Sequence, residues 1–193
     1  MGIEKSEVRV LAIAGSLRSA SLNKKALQIA KKAALDFGAS INELDLKVLD
    51  LPMFNEDLAV NQLPESVVKM KSEIEKSDVI IIATPEYNNS IPGPLKNAID
   101  WESYKKNSFS GKFAIIFGAS AGIFGTIRAQ LHLRQILTAL NVDILPQPQI
   151  FIRLANDAFL EDGSLADQQV MTQMQTLVRK TLELVIQKKR TEH

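Results

Sequence analysis

The run VIIIA at residues 79–83 contains no polar side chain. Side chains alternate between the two faces of a strand, so a strand made from this run has nothing to offer water on either side. Strands of that kind lie inside a parallel sheet covered on both faces. Residues 8–14 and 113–117 read the same way, short, mostly apolar and rich in Val and Ile. The segment INELDLKVL, residues 41–49, differs, because Leu44, Leu46 and Val48 alternate with Glu43, Asp45 and Lys47. That pattern predicts a strand with one wetted face, at an edge of the sheet. A fifth strand is expected within residues 142–152, where Pro146 and Pro148 argue for a bulge or another edge.

Helical periods lie between these runs. Leu22, Ala26, Ile29, Ala30, Ala33 and Phe37 recur at helical spacing opposite Lys24, Lys25, Lys31 and Lys32, with Gly38 as a stop signal. A second helix begins at Pro64 and Glu65, with Val67, Met70 and Ile74 inward. A third opens at Pro92 and Pro94, since the first helical amides have no partner within the helix and proline is tolerated there. A fourth carries Ala129, Leu133, Ile136, Leu137 and Leu140 on its core stripe. The last runs from about residue 164 to Lys188 and Lys189, with Met171, Met174, Val178, Leu182 and Val185 on one face. Five strands alternating with five helices predict an α/β three-layer sandwich, one parallel sheet with helices on both faces. A chain of 193 residues without internal repeats suits one domain. A central first strand and a wetted second strand fit the flavodoxin-like order 2-1-3-4-5, whose binding crevice lies at the carboxyl ends of strands 1, 3 and 4.

The first of those ends reads AIAGSLRSASLN, residues 12–23. Gly15 turns the chain and a helix starts near Ser21, so free amides and the positive end of a helix dipole converge on residues 16–23. Ser16 and Ser21 add hydroxyls, Asn23 an amide, and Arg18 a permanent charge able to grip a phosphate by two bonds. The same Ser21 serves equally as a helix cap. The stretch lacks G-x-x-x-x-G-K-[ST] and G-x-G-x-x-G, which excludes a P-loop and a dinucleotide fingerprint here and favours a monophosphate. Strand 1 does not end in paired acids, and Asp50 stands alone after the second strand, so the magnesium cluster of a receiver domain is absent.

The second end, TPEYNNSIPGPLKNAIDW, places Pro85, Glu86, Tyr87, Asn88 and Asn89 directly beyond a buried strand, and Pro92, Gly93 and Pro94 stiffen the loop. Such a wall suits a flat ring, with Tyr87 offering an apolar face and Asn88 hydrogen bonds to polar ring edges. Trp101 reads as core or interface. The third end, GASAGIFGTIRAQ, sets Gly118, Gly122 and Gly125 with Ser120 before another helix, where a ligand can come close to the backbone.

Lys and Arg total 23 against 22 Asp and Glu, so no overall field recommends nucleic acid or an acidic membrane as partner. With no cysteine, disulfides, thiol catalysis and cysteine-held metals are excluded, and redox chemistry requires a bound cofactor. The opening MGIEKSEVRV lacks the apolar stretch of a secretion signal, and the apolar runs are too short to span a membrane, which predicts a cytoplasmic protein.

GSLRSASLN, PEYNNSIPGPLKNAIDW and the glycine-containing loop after strand 4 together resemble the NADPH-dependent FMN reductase family, which includes quinone, chromate and azo-dye reductases. The resemblance spans nearly the whole chain. One departure is Thr126 after Gly125, where relatives often have a second glycine. It implies a flavodoxin-like fold holding FMN, the phosphate at Ser16, Leu17, Arg18, Ser21 and Asn23, and the isoalloxazine beside Pro85, Glu86, Tyr87 and Asn88 and near Ser120 and Gly122. It further implies hydride transfer from NADPH or NADH to FMN and onward to a small-molecule acceptor such as a quinone, flavin, azo compound or chromate, in ping-pong fashion. Flavin N5 takes the hydride, so no catalytic side chain and no metal are assigned. His132 reads as structural, and His193 ends the given chain. Ile127 and Leu131, with Arg128, lie opposite the core stripe of their helix, and relatives assemble, so a homodimer or homotetramer through this face is expected. An electron carrier of the same fold, or an interaction module that keeps only the fold, are the competing readings; carriers tend to be acidic, whereas this chain carries a formal charge of +1.

Overall fold

The computed structural model describes residues 8–191; the absence of an apolar leader over residues 1–7 and the reading of His193 lie outside them. Strand β1 (Arg9–Ala14) pairs in parallel with β2 (Ser40–Leu44) on one side and β3 (Val79–Ala83) on the other. Beyond β3 lies β4 (Phe113–Ala119), which pairs with both β5 (Asp143–Ile144) and β6 (Ile150–Ile152). The order is therefore β2-β1-β3-β4-β5, all parallel, as the pattern of wetted and buried runs predicts.

The apolar run in β3 divides between the two faces of the sheet. Val79, Ile81 and Ala83 pack under α1 (Leu22–Phe37) and α6 (Gln168–Thr191), while Ile80 and Ile82 pack under the opposite layer. That layer consists of α2 (Leu46–Leu49), α3 (Glu65–Lys76), α4 (Gly93–Ser103) and α5 (Ile127–Ala139). Helix α1 ends where Gly38 takes φ 97°, a left-handed cap that costs glycine little. In α3, Val67, Met70 and Ile74 are buried as their spacing predicts. No described helix is long and apolar enough to cross a membrane.

Three boundaries differ from the sequence expectation. The second strand stops at Leu44, because the Asp45 carboxylate accepts from the Lys47 amide at 2.8 Å and caps the short α2. The fifth strand is split by Pro146 and Pro148 into β5 and β6, with the Gln147–Pro148 peptide cis between them. The last helix begins at Gln168 rather than near residue 164. Ser164 instead closes a tight turn, its amide donating to the Asp162 carboxylate at 2.9 Å and its carbonyl accepting from Leu160 at 2.9 Å.

In the layer of α2 to α5, Trp101 is fully buried and donates from Nε1 to the Pro52 carbonyl at 2.7 Å. Beside it the Lys71 ammonium faces the carbonyls of Glu102, Tyr104 and Lys106 where α4 ends, which suits the negative end of a helix dipole. Burial pushes the pKa of Lys71 down and that of Glu102, 3.8 Å away, up.

Candidate functional site

Three loops meet at the carboxyl ends of β1, β3 and β4. In the first turn, Ser16 is buried, and its Oγ accepts from the Arg18 amide at 3.3 Å. Ser21 caps α1, its Oγ accepting from Asn23 at 3.2 Å and Lys24 at 3.4 Å. The amides of Ser16, Leu17, Ser19 and Ala20 donate to no other described residue, and the exposed Arg18 guanidinium has no partner among them. Four uncommitted donors and one uncommitted cation thus surround the amino end of a 16-residue helix. An anion is what such an arrangement stabilises.

Asn23 is placed differently from the expectation of a phosphate donor. Its Nδ2 donates to the Ala119 carbonyl and its Oδ1 accepts from the Ala119 amide, both at 2.9 Å, in a buried clamp between α1 and the end of β4. Glu86 likewise turns away from the ring wall that the sequence suggests. Its Oε2 accepts from the amides of Arg128 at 2.9 Å and Ala129 at 3.1 Å, and Oε1 pairs with the Arg128 guanidinium at 3.2 Å. Helix α5 has no side-chain cap of its own at Thr126, so the second loop supplies one.

Tyr87 and Ser90 exchange backbone bonds at 3.0 Å around Asn88 and Asn89, whose φ values are 50° and 65°. Two left-handed residues between one bridged pair make a primed two-residue turn, for which asparagine is well suited. Tyr87 is left half-exposed beside buried Pro85, and Asn88 stands at the tip. His132 on α5 lies 3.1 Å from Ser90 Oγ, a structural contact. In the third loop Ser120 Oγ accepts from Gly122 at 3.1 Å, and the amides of Ala121, Ile123 and Phe124 donate to no other described residue.

Thr84 and Thr126 carry no obvious motif signal in the sequence, yet both are fully buried where the second and third loops meet. A Cβ on Gly118 would stand 2.1 Å from Thr126 Oγ1 and 2.2 Å from the Thr84 carbonyl, so only glycine allows the three to approach. Gly118 thus makes room for Thr126.

The strand order and these braced loops define a flavodoxin-like protein whose first turn is shaped for an anion and whose second and third loops leave Tyr87, Asn88, Gly122 and Ile123 exposed as a shelf. Residues 8–157 match the model of the family described as NADPH-dependent FMN reductase, and the chain belongs to that family. An NAD(P)H-dependent FMN reductase of Pseudomonas aeruginosa is 46% identical over 162 residues, covering 83% of this chain and 86% of that protein. An NAD(P)H:quinone oxidoreductase of Solanum tuberosum is 36% identical and covers 89% of each chain. Among solved structures, FerB, a flavoenzyme NAD(P)H:(acceptor) oxidoreductase from Paracoccus denitrificans, superposes with a TM-score of 0.81 at 36% identity, covering 92% of this chain and 97% of that one. The chain is accordingly an oxidoreductase of a family that uses FMN and NAD(P)H.

Proposed function

We propose that FMN lies across the three loops and that the protein passes a hydride from NAD(P)H through it to a small acceptor of the quinone class, in two half-reactions of ping-pong type. The observation that carries this reading is the first turn, where the amides of residues 16, 17, 19 and 20 and the Arg18 guanidinium lack protein partners at the positive end of α1. They fit a phosphate monoester, which would be held by Ser16, Leu17 and Arg18 with Ser21 capping the helix behind it. Pro85, Tyr87 and Asn88 would hold the ring on one side, with Ser120 and Gly122 on the other. Asn23 and Glu86 enter this reading as braces. FMN supplies the hydride-accepting N5 when bound. The free amides of Ala121, Ile123 and Phe124 are fixed dipoles that favour negative charge accumulating on a ring nearby. An open shelf would suit donor and acceptor in turn and tolerate acceptors as different as quinones, free flavin, azo compounds and chromate. We place the protein in the cytoplasm on the same reading.

Titration of FMN into the protein, followed at visible wavelengths, tests the binding, and anaerobic addition of NADPH and then NADH tests the chemistry. Bleaching of the flavin and recovery of colour on adding a quinone are the expected results. Arg18→Ala is expected to raise the FMN dissociation constant about 10- to 100-fold, the range of a charge-assisted bond. Unchanged affinity removes Arg18 from the phosphate, and a protein that never takes up FMN ends the proposal.

A further inference from the structure

Beside the third loop, on the β6 side, lies a cavity of about 440 Å³. Its walls include Ile123 of the third loop, Phe151 of β6, and Leu154, with Arg153, Asp157 and Asp167 around them. Asp167 is committed, since its carboxylate accepts from the amides of Gln169 at 2.9 Å and Val170 at 3.1 Å at the start of α6. Arg153 and Asp157 have no side-chain partner among the described residues, so one free cation and one free anion remain beside an apolar wall. The stem of Arg153 runs along the third loop, where a Cβ on Gly125 would stand 3.5 Å from its Cγ. Leu154 takes φ 46°, a left-handed conformation unfavourable for leucine, and leaves its side chain exposed. Its amide is held by the Gly122 carbonyl at 3.2 Å, and the next amide, Ala155, by Ser120 at 3.0 Å. Strain of this sort persists where the surroundings enforce it, and it clusters at ligand sites.

We infer that this cavity receives the adenosine end of the nicotinamide dinucleotide, with Arg153 gripping the 2′-phosphate that distinguishes NADPH from NADH and Asp157 accepting from the purine amine. The inference rests on the hydride-transfer reading above. A quinone offers neither an anion for the guanidinium nor an amine for the carboxylate. The phosphate of FMN is already provided for at the first turn, on β1. A donor whose nicotinamide reaches the shelf must extend its other end past one of the shelf's walls, and the cavity shares Ile123 with the third loop. Its size falls within the range of small-molecule sites.

Two measurements on the FMN-loaded protein test this. In calorimetry, adenosine 2′,5′-bisphosphate is expected to bind the unmodified protein at least tenfold more tightly than 5′-AMP, and Arg153→Ala to abolish that difference while Arg153→Lys restores part of it. In steady-state assays with one quinone, Arg153→Ala is expected to lower the NADPH-to-NADH ratio of kcat/KM about 10- to 100-fold, the span of a lost charge-assisted bond. Equal affinity for the two nucleotides in the unmodified protein, an unchanged ratio, or a shift confined to the quinone KM would overturn the assignment. Failure of the hydride-transfer reading is distinct, since the unmodified protein would then oxidise neither NADPH nor NADH. Retained FMN affinity and melting temperature show that the variants are folded.

Discussion

Asn23 illustrates what one side chain does here that its position in the sequence disguises. In the string SASLN it reads as a donor to a phosphate, whereas in the fold its carboxamide completes both backbone bonds of Ala119. Asn23→Ala is therefore expected to cost about 2–4 kcal/mol of stability, because it leaves a buried N–H and C=O unpaired, and to weaken FMN binding as a consequence. Urea unfolding with and without FMN checks this; full stability combined with lost affinity would return Asn23 to the ligand. Arg18 was legible because the turn around it is rich in donors. Arg153 was not, since a lone arginine after a strand gives no signal until the cavity beside it is seen. Lys71 and Glu102 escaped notice for the same reason, as residues 31 positions apart meet only through the packing of α3 on α4.

The elements legible in the sequence were those whose burial is extreme. Strands β1, β3 and β4 and helices α1 and α3 follow directly from runs and stripes of apolar residues. The errors fall where a local bond outweighs the pattern. Leu44, Leu46 and Val48 alternate like a strand, but four residues after Asp45 suit either period, and the side-chain cap decides for a helix. At the start of α6 the Asp162–Ser164 turn and the Asp167 cap together shorten the helix. Helix α5 depends on a neighbour, since Glu86 caps it from the second loop. Its outer face leaves Ile127 37% and Leu131 55% exposed, with Phe124 under Arg128 nearby at 5.0 Å. We propose that this face meets a second copy of the chain. Sedimentation velocity at micromolar concentration is expected to show a dimer or tetramer, and Leu131→Asp to shift it toward monomer. A monomer before substitution refutes the contact.

Across the molecule, the strand order was predictable because a two-sided apolar strand has few places to go, while the mutual bracing of the loops was not, being built from contacts of long range. At the opposite end of the sheet, Asp78 joins β1 to α6. Its carboxylate accepts from the Arg9 amide and Lys189 Nζ, each at 2.7 Å. Burial opposes its ionisation, but the bonds from Lys189 and Arg9 prevail and hold its pKa below the ordinary value. The folded form therefore binds fewer protons at this site, so the stabilisation is present above about pH 4 and is lost as the pH falls through the native value. Urea midpoints measured from about pH 6 to pH 2 are expected to fall more steeply for the unmodified protein than for Asp78→Asn, and parallel curves would exclude the linkage. The Asn23 clamp and the Glu86 cap join all three loops through the protein's own bonds. If FMN lies across these loops as proposed, an apoprotein so fastened has little left to organise when the flavin arrives, and its uptake is expected to proceed without a slow rearrangement.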